Sequence, residues 1–293
     1  MPQPSAELSR AAKPPHGLLP RRAGERLMLG LAALVWLAVV LIPVSYAVIQ
    51  TFKNQQDELA TSPWSLGSPT LENYRSVLGP SIFHYLLNSV ITSVGAVLLS
   101  LLLGSLAAYA LARMRSGVNG ILYLLFVSGL AVPIYAAIIP IYRLSIRLHL
   151  YDTLPGVLLP FAATGLPITV FILTAFMRAI PDELEHAMQI DGAGFFRRYL
   201  QLALPLARPA LATVAVYTFI TNWNNFVLPL VLTQSEDKRT LPLAIWDYQG
   251  QYGMNVPLVL TVVVLSTLPL LIFYILQRRN FIQGLTAGAL SAV

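Results

Sequence analysis

The sequence predicts an all-α polytopic membrane protein with six transmembrane helices. Of its 293 residues, 56% are hydrophobic and only 11% are charged, and the mean hydropathy of +0.67 is well above that of a soluble domain. A helix needs about 20 mostly apolar residues to cross a bilayer, because hydrocarbon offers the backbone no other hydrogen-bond partners. Six runs free of Asp, Glu, Lys and Arg meet this requirement: Leu27–Ile49, Tyr85–Leu111, Ile121–Tyr142, Pro155–Met177, Ala210–Leu232 and Pro257–Leu276.

The basic residues predict that both termini are cytoplasmic, because Lys and Arg collect in the cytoplasmic loops of membrane proteins. In this orientation 13 of the 19 basic residues lie inside: Arg10, Lys13, Arg21, Arg22, Arg26, Arg113, Arg115, Arg178, Arg197, Arg198, Arg208, Arg278 and Arg279. The other six lie outside: Lys53, Arg75, Arg143, Arg147, Lys238 and Arg239. The net charge of +6 follows from this bias, so we expect no nucleic-acid partner.

The predicted organisation along the chain follows from these runs. Residues 1–26 are rich in Pro, Ala and Arg and form a disordered cytoplasmic tail, which lacks the cleavage site of a signal peptide. Residues 27–51 form the first transmembrane helix, 52–83 an extracytoplasmic loop, 84–280 a core with five further transmembrane helices, and 281–293 a cytoplasmic tail. No cysteine is present, which excludes disulfides and cysteine-based metal or redox chemistry.

One segment between two apolar runs, residues 180–207, is unusually polar. Pro181 with Asp182 and Glu183 predicts a helix start, because carboxylates favour the positive end of the helix dipole. Leu184, Ala187 and Met188 then give a narrow apolar face, and Gly192 suits a left-handed helix terminator. A second short amphipathic helix follows and is closed by Pro205 and Pro209. From periodicity alone, the segment either connects two spans along the membrane surface or docks a cytoplasmic partner.

Three stretches carry a family resemblance. Glu185-His186-Ala187, followed by Asp191-Gly192-Ala193 and Leu204-Pro205, resembles the cytoplasmic "EAA" loop of ABC importer permeases, with His186 in place of an alanine. The stretches Ala108-Tyr109-Ala110-Leu111-Ala112-Arg113 and Phe281–Ala289 are similar to those of carbohydrate-uptake permeases of the maltose-transporter type. The resemblance covers roughly residues 84–290.

The resemblance implies a type I ABC importer permease fold, in which 84–280 is the permease core and 180–207 the coupling segment. It implies three kinds of partner besides membrane lipid: a homologous second permease, two ATPase subunits and an extracytoplasmic solute-binding protein. The residues implied to couple to the ATPase are Glu183, Glu185, His186, Ala187, Met188, Asp191, Gly192, Ala193, Arg197 and Pro205. The implied tail contacts with the ATPase are Gln283, Gly284, Thr286 and Gly288, and the implied binding-protein contacts are Trp246, Tyr248 and Tyr252.

The chain shows no energy source of its own. It has no GxxxxGK[ST] phosphate loop and no charged residue within the apolar runs, so a transporter of this kind borrows its energy or is passive. We therefore expect a non-catalytic subunit that binds no cofactor or metal, with ATP and Mg²⁺ on the partner ATPase. The rival functions are a self-contained facilitator or secondary carrier for a neutral solute, and an intramembrane enzyme.

Uncharged polar residues lie within the apolar runs. Asn88 opens the second run, and Asn222, Trp223, Asn224 and Asn225 stand together in the fifth. Unpaired amides are costly in hydrocarbon, so these side chains either bond to neighbouring helices or line a path for a hydroxyl-rich solute. If they line a path, these five residues form the translocation path. The protein is expected in the plasma membrane of a bacterium or archaeon.

Overall fold

The computed structural model describes residues 23–114, 116–250 and 253–290. Within them the protein is almost entirely helical, apart from two short antiparallel strands, β1 (Gln249–Gly250) and β2 (Gly253–Met254). The chain divides into two compact units, one ending at Ala47 and one beginning at Val48. Most of the predicted N-terminal tail, together with Arg115, Tyr252 and 291–293, lies outside the described residues.

The α-helices differ widely in length. In chain order they are α1 (Ala23–Gln50), α2 (Gln55–Ala60), α3 (Glu72–Val77), α4 (Pro80–Arg113), α5 (Asn119–Ser128), α6 (Ile134–Arg147), α7 (Leu154–Arg178), α8 (Asp182–Ile190), α9 (Phe195–Arg198), α10 (Leu204–Leu206), α11 (Arg208–Trp223), α12 (Val227–Leu232) and α13 (Val256–Leu290). A π-helical turn at Tyr199–Ala203 joins α9 to α10, and short 3₁₀ turns cover Gly129–Ala131, Glu236–Lys238 and Leu241–Tyr248.

Four helices in the described part of the chain are long and apolar enough to cross a membrane: Leu27–Gln50, Pro80–Arg113, Leu154–Arg178 and Val256–Ile275. Two further helix pairs pass the same test only together, and each is sharply bent. They are Asn119–Ala131 with Ile134–Arg147, bent by 103°, and Phe195–Leu206 with Arg208–Trp223, bent by 74°. The described part of the chain thus has four such spans, or up to six if each bent pair counts as one.

Within the predicted span over Ile121–Tyr142 the helix is sharply interrupted. The chain leaves the helix at Val132 and re-enters it after Pro133, and both residues are extended. The proline supplies no N–H to the helix and disfavours the helical region for the residue before it, so the direction changes there.

Within the predicted span over Ala210–Leu232 the helix is also interrupted. Helix α11 ends at Trp223, and α12 begins at Val227. The carboxamide Oδ1 of Asn225 accepts from the backbone N–H of Leu228 at 3.0 Å, a local bond that satisfies one donor at the start of α12. The asparagines that suggested a solute path also interrupt the helix.

Helices α4 and α7 pack closely because small residues face each other. A Cβ added at Gly104 would lie 2.4 Å from Thr169 Cγ2, and one at Gly165 would lie 2.9 Å from Ser100 Oγ. The Ser100 hydroxyl also donates to the Ala162 carbonyl across the contact, at 2.9 Å. Such close approach of two helix backbones is the usual role of small residues between helices in membranes.

The segment after α1, predicted as a loop over 52–83, is a folded element that contains α2 and α3. The Lys53 side chain is buried, and its ammonium donates to the Ser62 carbonyl at 2.8 Å. The Asn73 amide donates to the carbonyls of Thr51 and Lys53 at 2.9 and 2.7 Å. These bonds satisfy buried polar groups that would otherwise be costly.

Candidate functional site

Helix α8 is the first half of the polar segment 180–207. It begins after the extended Pro181, and its first turn holds Asp182, Glu183 and Glu185. It ends at Gly192, whose φ of 77° is left-handed, as the sequence predicts. The N–H of Gly192 donates to Gln189 and that of Ala193 to Met188, at 3.0 and 2.8 Å, the bond pattern of a Schellman motif.

Glu185 is the one acidic residue of α8 that points into the protein. It is only 4% exposed. Its carboxylate accepts from the Tyr109 hydroxyl at 3.1 Å and forms ion pairs with Arg198 at 3.3 Å and Arg113 at 3.4 Å. Buried carboxylates of this kind are held by paired charges and hydrogen bonds. Glu185 therefore joins α8 to both α4 and α9.

Arg113, the last residue of α4, makes the other contacts at this point. One guanidinium nitrogen donates to the carbonyls of Met177 and Ile180 at 2.8 and 2.7 Å, which caps the end of α7. Another pairs with the carboxylate of Asp182, which is mostly exposed. The Arg113 end of α4 thus holds α7 and α8 together.

Aromatic packing fixes the second half of the segment to the same helix. The Tyr109 ring lies 4.7 Å from that of Phe195 and 5.4 Å from that of Tyr199, measured between centroids. The Tyr199 hydroxyl is hydrogen-bonded to the Ser105 hydroxyl at 2.7 Å. Tyr109, Tyr199 and Ala203 are all buried in one cluster with Leu173 of α7.

Pro205 does not close the second helix, contrary to the sequence prediction. The helical stretch runs from Phe195 to Leu206 and breaks at Ala207, where the 74° bend begins. Pro205 sits inside this stretch directly after the π turn at Tyr199–Ala203. The missing N–H of a proline and the wider π turn are compatible, because the wider turn relieves the clash of the ring with the preceding carbonyl.

The remaining residues predicted for coupling are mostly at the surface. Glu183, His186, Ala187, Asp191, Gly192 and Arg197 are exposed, Met188 and Pro205 are half-buried, and Ala193 is buried with Glu185. The predicted apolar face of α8 is not covered within the described chain. Leu184 is 43% exposed and Ile190 is 87% exposed, and Phe196 beyond the turn is 67% exposed.

The 233–256 loop is held by the Pro80 end of α4. The Tyr85 hydroxyl donates to the carboxylates of Asp247 at 2.8 Å and Glu236 at 3.1 Å. Trp246 is 47% exposed, and Tyr248 is half-buried. Burial, followed by the negative charge of Asp247, raises the pKa of the Tyr248 hydroxyl.

Two more residues of α4 bind the backbone of this loop. The Asn88 amide donates to the carbonyls of Asp237 and Arg239, both at 2.8 Å. The Ser89 hydroxyl accepts from the N–H of Leu241 at 2.7 Å. Asn88, predicted for the translocation path, is therefore buried and used as a loop anchor.

Asp152, in the turn between α6 and α7, holds the start of the same loop. It has a positive φ of 58°, and its carboxylate accepts from the N–H groups of Gln234 and Ser235 at 2.8 and 2.9 Å and from the Ser235 hydroxyl at 2.5 Å. Partial burial raises the pKa of this carboxyl, but these hydrogen bonds outweigh burial and leave the pKa below its usual value.

The four residues from Asn222 to Asn225 divide between the buried interior and an open groove. Asn222 and Trp223 are buried, and the Trp223 indole N–H donates to the Ser266 carbonyl of α13 at 3.0 Å. Asn224 and Asn225 instead line a groove of ≈ 250 Å³, whose wall also includes Tyr135 and Thr221. Only the last two of the four consecutive residues therefore reach an open surface.

Helix α13 continues through the predicted C-terminal tail as far as Leu290. The side chains of the predicted tail contacts lie outside the described residues: Gln283, Gly284, Thr286 and Gly288. No cluster of three or more His, Asp or Glu side chains suited to a metal ion occurs in the described part of the chain.

Sequence reasoning missed the residues that hold the site together. Tyr109 and Arg113 entered only through a family-like stretch and, for Arg113, the count of basic residues, although their spacing of four residues puts them on one helix face. Tyr85 and Asp152 carried no pattern at all, because their partners lie 151 and 83 residues away in the chain.

Comparison with known proteins assigns this architecture to a family. The family described as "Binding-protein-dependent transport system inner membrane component" matches residues 100–281. An ABC transporter permease protein of Caldicellulosiruptor sp. (strain Rt8B.4) is 43% identical over 256 residues, which cover 87% of this chain and 93% of that protein. The diacetylchitobiose uptake system permease protein of Streptomyces coelicolor is 33% identical over 259 residues, which cover 87% of this chain and 85% of that protein.

A solved structure shows the same fold. A chain of a bacterial ABC transporter that imports the acidic polysaccharide alginate superposes with a TM-score of 0.74 at 21% identity. The match covers 88% of this chain and 98% of that one. The fold is therefore that of an ABC importer permease, as the sequence predicts.

Proposed function

Since the chain belongs to the family of binding-protein-dependent transport system inner-membrane components, we propose that it is the permease subunit of an ABC importer for a carbohydrate. The substrate class is an oligosaccharide, a sugar or a sugar derivative. The 33% identity to a diacetylchitobiose uptake permease over most of both chains supports this class. The subunit is non-catalytic, and it moves solute by alternating access.

The polar segment 180–207 is the coupling segment of this permease. The observation that carries this assignment is the two-sided character of α8, which is tied to α4 through the buried Glu185 and presents exposed Leu184 and Ile190 on its other side. An apolar helix face of this kind fits a groove in a partner protein. The partner is the ATPase subunit, which binds ATP and Mg²⁺, and His186 lies exposed on the helix that meets it.

The full transporter contains a homologous second permease, two ATPase subunits and an extracytoplasmic solute-binding protein. It lies in the plasma membrane of a bacterium or archaeon, with both termini of this chain in the cytoplasm. In this orientation the 233–256 loop is extracytoplasmic, and its exposed Trp246 is a contact for the binding protein. We expect neither a nucleic acid nor a resident cofactor on this chain.

The groove beside Asn224 and Asn225 is our candidate for the part of the path that this chain supplies. Its lining residues carry no charge, and Thr221, Tyr135 and the two amides offer donors and acceptors. Amides and hydroxyls pair with sugar hydroxyls, and an exposed tyrosine offers a ring face for a sugar. Asn88 and Trp223 contribute through structure instead, because they are buried and bond to backbone carbonyls.

The proposal is tested by producing the chain with its second permease, ATPase and binding protein, and by measuring ATPase co-purification and uptake of labelled oligosaccharide in proteoliposomes. Ile190→Asp puts a charge on the most exposed apolar position of α8. We expect it to weaken ATPase binding by about 10-fold or more, since burying a large aliphatic side chain contributes about 1.5–3 kcal/mol.

The matched control is Val118→Asp, which adds the same charge at an exposed position of the turn after α4. We expect it to leave ATPase binding unchanged. If no ATPase subunit co-purifies with the wild-type chain, the importer assignment is wrong. If the chain alone carries solute in proteoliposomes, the facilitator is the correct function.

A further inference from the structure

In the described part of the chain, helix α4 forms side-chain hydrogen bonds with both proposed partner-binding segments. It runs without an internal proline from Pro80 to Arg113, and its 34 residues span about 50 Å. An uninterrupted helix of this length carries a displacement from one end to the other, because its backbone hydrogen bonds resist bending except at prolines and similar breaks.

At the Pro80 end of α4, three side chains on one helix face form hydrogen bonds with the 233–256 loop. Tyr85 bonds the carboxylates of Glu236 and Asp247, Asn88 bonds two backbone carbonyls, and Ser89 bonds a backbone N–H. Asn88, Ser89 and Tyr85 are all less than 9% exposed. These polar contacts are shielded from water, so the loop moves with the helix or its bonds break.

At the Arg113 end of α4, three side chains bond to the coupling segment, residues 180–207, in the same way. Ser105, Tyr109 and Arg113 recur every four residues and therefore share a face, and each bonds to the segment. Tyr109 is fully buried and carries both the hydroxyl bond to Glu185 and the ring contacts with α9.

The middle of the helix is held against α7. The close approach at Gly104 and the Ser100–Ala162 bond leave no space for α4 to bend toward α7 between its two ends. The two ends of α4 are thus bonded to the two partner-binding segments, and its middle is packed against α7.

We propose that α4 transmits the state of the bound solute-binding protein to the ATPase, with Tyr85 and Tyr109 as the positioning residues at its two ends. This rests on the proposed function, because it takes the 233–256 loop and segment 180–207 as the two partner contacts. A shift of the loop displaces α4 through Tyr85, and α4 displaces α8 through Tyr109 and Glu185.

The test uses the whole reconstituted transporter and the ratio of ATPase rate with solute-loaded binding protein to the rate without it. Tyr85→Phe and Tyr109→Phe each remove one hydroxyl and keep the ring. Each is expected to lower this ratio by about 10-fold or more, as fits the loss of a hydrogen bond to a charged group. Tyr274→Phe on α13 is the matched control, since its ring is half exposed, and it is expected to leave the ratio unchanged.

The double variant decides whether the two ends belong to one link. A link that is already broken at one end cannot be broken again, so Tyr85→Phe with Tyr109→Phe should lower the ratio no further than the stronger single variant. Effects that multiply would show two independent routes and overturn the proposal, as would a single variant with an unchanged ratio.

Hydrogen exchange in the same complexes gives a second readout. Adding loaded binding protein should change exchange in α8 of the wild type but not of Tyr85→Phe. An unaltered response in Tyr85→Phe would overturn the proposal while leaving the importer assignment intact. A wild-type complex that assembles without an ATPase would instead overturn the proposed function, and the link with it.

Discussion

Replacing Glu185 by alanine is expected to release helix α8 from the end of α4. The substitution removes the carboxylate that pairs with Arg113 and Arg198 and accepts from Tyr109, and all of these partners lie in a water-poor site. The charges then left without a counterion have no ready access to solvent, so the cost comes mainly from the partners that stay behind.

The magnitude follows from which partners are stranded. Removing one side of a buried ion pair costs about 3–5 kcal/mol. Arg113 keeps Asp182 and the carbonyls of Met177 and Ile180, whereas Arg198 loses its carboxylate. Because the side chains of Arg113 and Arg198 are still 10% and 15% exposed, we expect the low end, about 3 kcal/mol.

Hydrogen exchange of the purified chain measures this directly. A loss of about 3 kcal/mol from the local opening free energy speeds exchange of the α8 amides by about 100-fold. Glu183→Ala is the matched control on the same helix, because Glu183 is exposed, and we expect less than about 5-fold, as for a surface charge near a helix N-terminus. Equal exchange rates in α8 of the two variants would refute the anchoring role of Glu185.

Three further predictions concern single positions with matched controls. Gly192→Ala should destabilise the end of α8 by about 1 kcal/mol, because Gly192 has a positive φ. Gly194→Ala, at an equally open position, should cost less, and hydrogen exchange of the Ala193 amide compares the two variants. Gly104→Ala should lower the thermal stability of the chain, at a cost of about 1–3 kcal/mol from overpacking against Thr169, and Gly120→Ala, with nothing nearby, should not. Asp152 has a lowered pKa in the folded chain, so its stabilisation of the 233–256 loop is complete above the ordinary carboxyl pKa of about 3.9 and is lost only as pH falls through the lower folded value. Protection of the Gln234 and Ser235 amides from hydrogen exchange, corrected for intrinsic rates, should thus be constant from about pH 5 to 7. In Asp152→Ala this protection should be absent throughout that range. A loss of protection in the wild type within that range would contradict the assignment.

Apolar length and charge alone were enough to identify a membrane protein, because the cost of an unsatisfied backbone in hydrocarbon leaves a long helix as the only reading of such runs. They were not enough to place the breaks. Pro133 turned the chain by 103° where two similar prolines inside α7, Pro160 and Pro167, left the helix continuous. The presence of a proline therefore does not by itself predict a break, since Pro43 also lies inside an unbroken helix, α1, whose apolar side chains are exposed.

The polar segment shows the same division. Its two helices, the left-handed Gly192 and its family resemblance could all be read locally, because caps, glycine conformation and motif spacing depend only on residues a few positions apart. Which acidic residue of α8 faces the protein interior could not be read from the sequence. Glu183 and Glu185 are the same residue type in the first turn of one helix, yet only Glu185 meets Tyr109, Arg113 and Arg198.

The sequence by itself therefore determined the class of the protein, its apolar runs and the local shape of the segment between them. Only the tertiary structure decided that Glu185 pairs with residues of α4 and α9, that Asn88 and Trp223 bond to distant backbone carbonyls, and that α4 bonds to both the 233–256 loop and segment 180–207. The physical reason is distance along the chain: these contacts join residues 13 to 162 positions apart, and no local propensity reports such a pairing.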